Sequence, residues 1–116
     1  MTGTPGLRGI ARLKIHDGKL EEFKRLSAEC VEIMRARDTG TLQYEIYLDE
    51  DETECVFLES YSDSHALLDH NENTGDVLQA MLATGTVTAE LFNASDRLKA
   101  MFADAPVRFF TLFRSL

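Results

Sequence analysis

The stretch Thr41–His70, TLQYEIYLDEDETECVFLESYSDSHALLDH, decides the fold. Leu42, Tyr44, Ile46 and Leu48 alternate with Gln43, Glu45 and Tyr47, the period-two pattern of a strand with one face in a core. Asp49–Glu54 is a short acidic turn. A second run follows, with Val56 and Leu58 on one face and Phe57, Glu59 and Tyr61 on the other. Two such runs joined so closely predict an antiparallel hairpin. Ser62 or Asp63 is then placed to cap a helix that carries Ala66, Leu67, Leu68 and His70. Glu59 stands out, because an unpaired buried carboxylate between two aromatics would cost several kcal/mol. It must face solvent, pair with a partner, or line a cavity.

Working outward, Leu7–Ile15 alternates Leu7, Gly9, Ala11, Leu13 and Ile15 with Arg8, Ile10, Arg12 and Lys14, and reads as a strand. Asp17 is positioned to cap a helix reaching about Arg37. Along it, Leu20, Phe23, Leu26, Cys30, Ile33 and Met34 recur at three- and four-residue steps, the mark of one face committed to a core. Gly40 ends the exit loop. Beyond His70, a break at Asn73–Gly75 precedes a further helical stretch, Asp76–Ala83. Thr86–Phe92 reads as a strand, and Ser95 caps a short helix that Pro106 stops. Val107–Phe113 closes the chain as a strand.

This order predicts an α+β fold, a ferredoxin-like antiparallel sheet built on the split βαβ pattern, with its helices on one face. The other face would then expose apolar groups, because Tyr44, Ile46, Phe57, Tyr61, Phe109, Phe110, Leu112 and Phe113 cannot all lie under the helices. A homodimer with two sheets facing each other, a dimeric α+β barrel, is the expected solution. Residues 1–6 are expected to be a flexible terminus and residues 7–116 a single domain.

Composition narrows the function. At 116 residues with a net charge of −8, the chain is a poor ligand for nucleic acid or an anionic membrane surface, which attract clustered Lys and Arg. No apolar run approaches the roughly 20 residues that span a bilayer. The N-terminus lacks the basic and apolar regions of a secretory signal. Cys30 and Cys55 are the only cysteines, which suggests a reducing, cytoplasmic setting without a disulfide framework.

The hairpin and following helix, YEIYLDEDETECVFLESYSDSHALLDH and then NENTGDVL, together with IHDGKLEEFKRL and SDRLKAMFADAPVRFFTL, resemble the antibiotic biosynthesis monooxygenase superfamily of dimeric α+β barrels. The resemblance covers about Leu7 to Phe113. It implies a pocket between sheet and helices in each subunit. There an aromatic polyketide or quinol would react with O2 without metal or flavin. Glu59 matches the family's strand glutamate, and His70 matches its histidine after the run of glutamate, aromatic, aspartate, alanine and leucine. Two features depart from the pattern. The chain has no tryptophan, and Gly75 and Asp76 stand where a second histidine often occurs. Both count against haem degradation.

Taken residue by residue, His70 is the candidate base, since imidazole is the side chain whose ordinary pKa, about 6.5, lies nearest neutrality. Its structural alternative is to close its helix. Glu59 is the second candidate catalytic residue, holding His70 in one tautomer; the alternative is a structural hydrogen bond. Tyr44, Tyr61 and Asn73 are candidate substrate-binding groups, against packing for the tyrosines and helix termination for Asn73. His65 and Asp69 share a helix face but lack a third ligand, so no metal site is expected. His16 reads as solvated and both cysteines as inert. The resulting expectation is a cofactor-independent monooxygenase for a phenolic, quinol or polyketide-like aromatic substrate, with a homodimer, a small aromatic molecule and O2 as partners. The alternative is a non-catalytic small-ligand-binding or accessory dimer of the same fold.

Overall fold

A computed structural model describes residues 6–116, and all but the last residue of the terminus expected at residues 1–6 lies outside the described residues. The elements are β1 (Leu7–Ile15), α1 (Leu20–Arg37), β2 (Thr41–Leu48), β3 (Glu54–Tyr61), α2 (Ser64–Leu82), β4 (Gly85–Phe92), α3 (Asp96–Met101) and β5 (Val107–Phe110). The sheet order is β2-β3-β1-β4-β5. The first four strands pair antiparallel, as the split βαβ pattern requires. The fifth, β5, runs parallel to β4, so the sheet is mixed rather than wholly antiparallel.

Both helices lie on one face of the sheet. α1 buries Phe23, Leu26, Cys30 and Met34 against Leu13, Cys55 and Phe57. Burying each large side chain contributes about 1.5–3 kcal/mol. The first half of α2 joins Leu7, Tyr61 and Leu91 in a second cluster through Ala66 and Leu67. Tyr44, Ile46, Phe57, Tyr61 and Phe109 all pack into these helix-side clusters, a larger share of the aromatics than the sequence pattern suggested. Phe110, Leu112 and Phe113 remain exposed.

Three local expectations are corrected. Asp17 does not cap α1; it lies in a turn closed by the Lys19 N–H donating to the His16 carbonyl, and Lys19 stands at the N-cap without a side-chain bond. Leu42 falls at an irregularity in the β2–β3 register between Thr41 and Gln43 and is exposed instead of sharing the face of Tyr44. β5 ends at Phe110 rather than Phe113, because the Leu112 N–H turns to the Asn93 side chain at 2.9 Å. Of the two expected caps of α2, Asp63 is the one that serves, accepting from the Ala66 N–H at 2.8 Å.

The expected break after His70 is a kink at one residue. Gly75 has φ 44° and ψ −123°, a conformation that side chains disfavour, and the helix resumes on a new axis. The Thr74 hydroxyl bonds back to the His70 carbonyl at 2.8 Å, within the turn before the kink. At the other end of the path, Gly40 allows the start of β2 to pack directly on α2. A Cβ there would sit 2.5 Å from the Cβ of Ala66. This close approach brings the end of α1 beside the first turns of α2.

Candidate active site

His70 lies on the buried stripe of α2 with Ala66, Leu67 and Thr74, and its side chain is 2% exposed. Its Nδ1 is 2.8 Å from Oδ2 of Asp38, the residue that caps the C-terminus of α1. Asp38 also accepts from the Thr41 hydroxyl at 2.7 Å and from the Asn73 amide at 2.9 Å. A carboxylate at a helix C-terminus opposes the helix dipole, so this placement needs the donors gathered around it. Burial pushes the Asp38 carboxyl up, but the hydrogen bonds from Asn73, Thr41 and His70, with the attraction of His70 when it is protonated, outweigh it. Asp38 is held below the usual carboxylate range.

A carboxylate can only accept, so Nδ1 of His70 carries the proton and Nε2 is left as the basic nitrogen. The ring is clamped by two aromatics, Tyr44 at 5.4 Å and Tyr61 at 5.5 Å between centroids. The imidazole is therefore fixed in tautomer by Asp38 and in orientation by its neighbours.

His70 lines a cavity of about 270 Å³ between the sheet and α2. Its floor is made of small and apolar residues, Ala11, Val87, Ala89 and Leu91. Leu67, Leu78 and Leu82 of α2 form the wall, and Phe102 and Pro106 close one end. Polar groups are few: Tyr44, Glu59, His70, Asn71, Gln79 and Thr88, with no lysine or arginine among the lining residues. Burial, with Glu59 next, pushes the Tyr44 phenol well above its ordinary range, so it remains a hydrogen-bond donor.

The sequence-derived candidates divide. His70, Glu59 and Tyr44 all line the cavity. The expected bond between Glu59 and His70 is not formed; Asp38 takes Nδ1, and Glu59 instead accepts from the Tyr61 hydroxyl. Tyr61 and Asn73, expected to touch substrate, stand behind the wall: Tyr61 is fully buried against Glu59, and Asn73 holds Asp38. Asn71, two residues earlier on α2, faces the cavity instead. Asp38, Asn71 and Gln79 were not singled out from the sequence. The signal for Asp38 was its electrostatically unfavourable place at a helix end, in the run ARDTG.

Among the described residues, no three His, Cys, Asp or Glu side chains converge as metal ligands. His65 and Asp69 form an exposed pair at 3.5 Å. Cys30 and Cys55 are both buried, and burial pushes their thiols up to about 11 and about 12, respectively.

Fold and site together define a ferredoxin-like α+β protein with a buried acid–base pair at an apolar cavity. Residues 7–81 match the family profile described as antibiotic biosynthesis monooxygenase, and the chain belongs to that family. Comparison with curated protein sequences gives no significant match. Among solved structures, MupZ from Pseudomonas fluorescens is similar over 96% of this chain and 93% of its own, at 23% identity and a TM-score of 0.83. A structure described as an antibiotic biosynthesis monooxygenase is 26% identical over 77% of this chain and 98% of its own, with a TM-score of 0.66. SnoaB from Streptomyces nogalater, described as a cofactor-independent oxygenase, is 18% identical over 78% of this chain and 94% of its own, at a TM-score of 0.65.

Proposed function

We propose that this protein is a cofactor-independent monooxygenase acting on a phenolic or hydroquinone-type aromatic substrate. The observation that carries the reading is the Asp38–His70 pair, buried at the wall of an apolar cavity with the basic ring nitrogen left for a ligand. Family membership and the likeness to SnoaB support the same chemistry.

In this mechanism His70 Nε2 removes the proton of the substrate hydroxyl, and Asp38 stabilises the imidazolium that forms. The electron-rich phenolate passes one electron to O2, and the radical pair recombines at a ring carbon to give a hydroperoxide. Loss of water from the hydroperoxide leaves the quinone, so one oxygen atom enters the product and the other leaves as water. Tyr44 and Asn71, which line the cavity, are assigned to hold the substrate oxygen, and the apolar walls lower the polarity around the anion.

The test is oxygen uptake by metal-free protein over a panel of one- and two-ring hydroquinones. Wild type consumes O2, and His70→Ala loses about 10²–10⁴-fold of the rate, the usual contribution of a general base. Uptake that survives in His70→Ala refutes the assigned role. Ligand-dependent thermal stabilisation without uptake indicates a binding protein instead. The proposal includes a homodimer that covers the sheet face opposite the helices and the exposed Phe110, Leu112 and Phe113. Light scattering at about twice the chain mass of 13.1 kDa supports it, and a monomer overturns it.

A further inference from the structure

Asp38, behind the cavity wall, supplies what His70 needs, which leaves Glu59, a half-buried acid that lines the cavity itself, without a part in the oxygen chemistry. Glu59 enters from β3, on the sheet side, whereas His70 enters from α2. The Tyr61 hydroxyl donates to Oε1 of Glu59. Among the described residues no other group hydrogen-bonds the carboxyl; no lysine or arginine lines this cavity, and Arg8, which shares a second cleft with Glu59, forms no ion pair with it. An unpaired carboxylate is costly in such surroundings, while a carboxylic acid is not. Burial accordingly pushes the Glu59 carboxyl up, opposed by the Tyr61 bond and, when His70 is protonated, by its charge. Phenol deprotonation needs a base alone. Removing a proton from carbon beside a carbonyl needs a base and also a donor for the developing oxyanion.

We propose that Glu59 and His70 form an acid–base pair on two walls of one cavity, and that the site interconverts the keto and enol forms of a two-ring cyclic ketone without oxygen. His70 Nε2 takes the proton from the α-carbon, and the C–H electron pair becomes the carbon–carbon double bond. The carbonyl π pair accepts the Glu59 proton, giving the enol. One proton then passes from imidazolium to carboxylate through water, restoring both groups. No electron leaves the substrate, so no oxidant is required. The cavity of about 270 Å³, small and apolar, suits two fused rings rather than an extended polycycle. The proposal rests on the oxygenase reading only in sharing His70 as base.

The test is hydrogen–deuterium exchange of 2-tetralone in D2O without oxygen, read as loss of the C1 proton signal by NMR. Wild type is expected to exceed His70→Ala at equal concentration by about 10²-fold. Glu59→Gln keeps the shape and the acceptor for Tyr61 but has no proton to transfer. It is expected to lose most of the acceleration while 2-tetralone still raises its melting temperature as in wild type. 2-Naphthol, a planar mimic of the enol, is expected to inhibit wild-type exchange competitively, a measurement that needs no variant. Exchange no faster in wild type than in His70→Ala, undiminished exchange in folded Glu59→Gln, or no inhibition by 2-naphthol overturns the proposal. Oxygen uptake is measured separately. Uptake without exchange removes the ketone activity alone, and exchange without uptake removes the oxygenase reading alone.

Discussion

Replacing Asp38 with asparagine keeps the volume at the end of α1 and removes one charge. The carboxylate accepts three hydrogen bonds, at 2.7, 2.8 and 2.9 Å. The new amide keeps the Thr41 and His70 bonds on its oxygen, and the Asn73 amide must turn over to accept from its NH2. Bonds to a charged group contribute about 1.5–3 kcal/mol against about 0.5–1.5 kcal/mol for neutral ones, so three downgraded bonds lose about 3–4.5 kcal/mol. Relief of the unfavourable helix dipole returns about 0.3–1 kcal/mol. The net loss is about 2–4 kcal/mol, or roughly 8–16 °C in melting temperature at about 4 °C per kcal/mol for a domain of this size. Activity falls as well as stability. The imidazolium formed on proton transfer loses its counter-charge, and a unit charge pair about 4 Å apart at an effective dielectric of about 20 interacts by about 4 kcal/mol. Allowing for partial compensation, about 2–4 kcal/mol leaves the transition state, which slows kcat by about 30- to 1000-fold. Substrate-induced thermal stabilisation should be unchanged, because Asp38 does not line the cavity. Folded Asp38→Asn with kcat within about threefold of wild type would refute the role of a charged His70 intermediate.

Glu59→Gln should remove a loss of stability that wild type shows as pH rises. The Glu59 carboxyl is pushed up by burial, so its contribution is complete below the unfolded value and lost as pH rises through the folded one; a melting profile without that decline in the variant checks the sign. Asp38 has the opposite sign, since its carboxyl is held low overall despite burial. Its contribution is complete above the ordinary carboxylate range and lost as pH falls through the folded value, so urea midpoints between pH 5 and pH 3 should fall less in Asp38→Asn than in wild type. Gly40→Ala places a methyl against Ala66 and the Ser62 hydroxyl, and should cost about 1–3 kcal/mol while separating Asp38 from His70; chemical denaturation and activity measured together report both. Native protein should resist a thiol reagent at both cysteines, with the two reacting after denaturation, because each is buried with its thiol pushed up.

Local pattern was enough for most of the architecture. The hairpin, the amphipathic α1, the acidic turn and the capping by Asp63 and Ser95 each follow from neighbours in the chain, and the structure has them where the periodicity puts them. His70 and Glu59 were legible for a similar reason: an imidazole on a helix and a carboxylate between aromatics on a strand are conspicuous without any partner in view. Tyr61 was chosen as a phenol on the sheet, where its hydroxyl instead serves Glu59, and Asn73 was chosen for lying just past His70, where the turn of the helix decides its direction. Asn71 and Asn73 differ by about 200° around α2, so one faces the cavity and the other faces α1.

What this sequence determines by itself is therefore the set of elements and the chemical types they carry, because period and capping act over a few residues. Which carboxylate serves His70 was decided only in three dimensions. Asp38 and His70 stand 32 positions apart and meet because Gly40 lets β2 begin against Ala66, drawing the end of α1 onto α2. Glu59 meets Tyr61 on its own strand, and the loop from α3 to β5 supplies one side of the cavity. Side-chain pairing across elements depends on their packing distance, and that distance is set by the absence of a methyl group at Gly40 as much as by any charge.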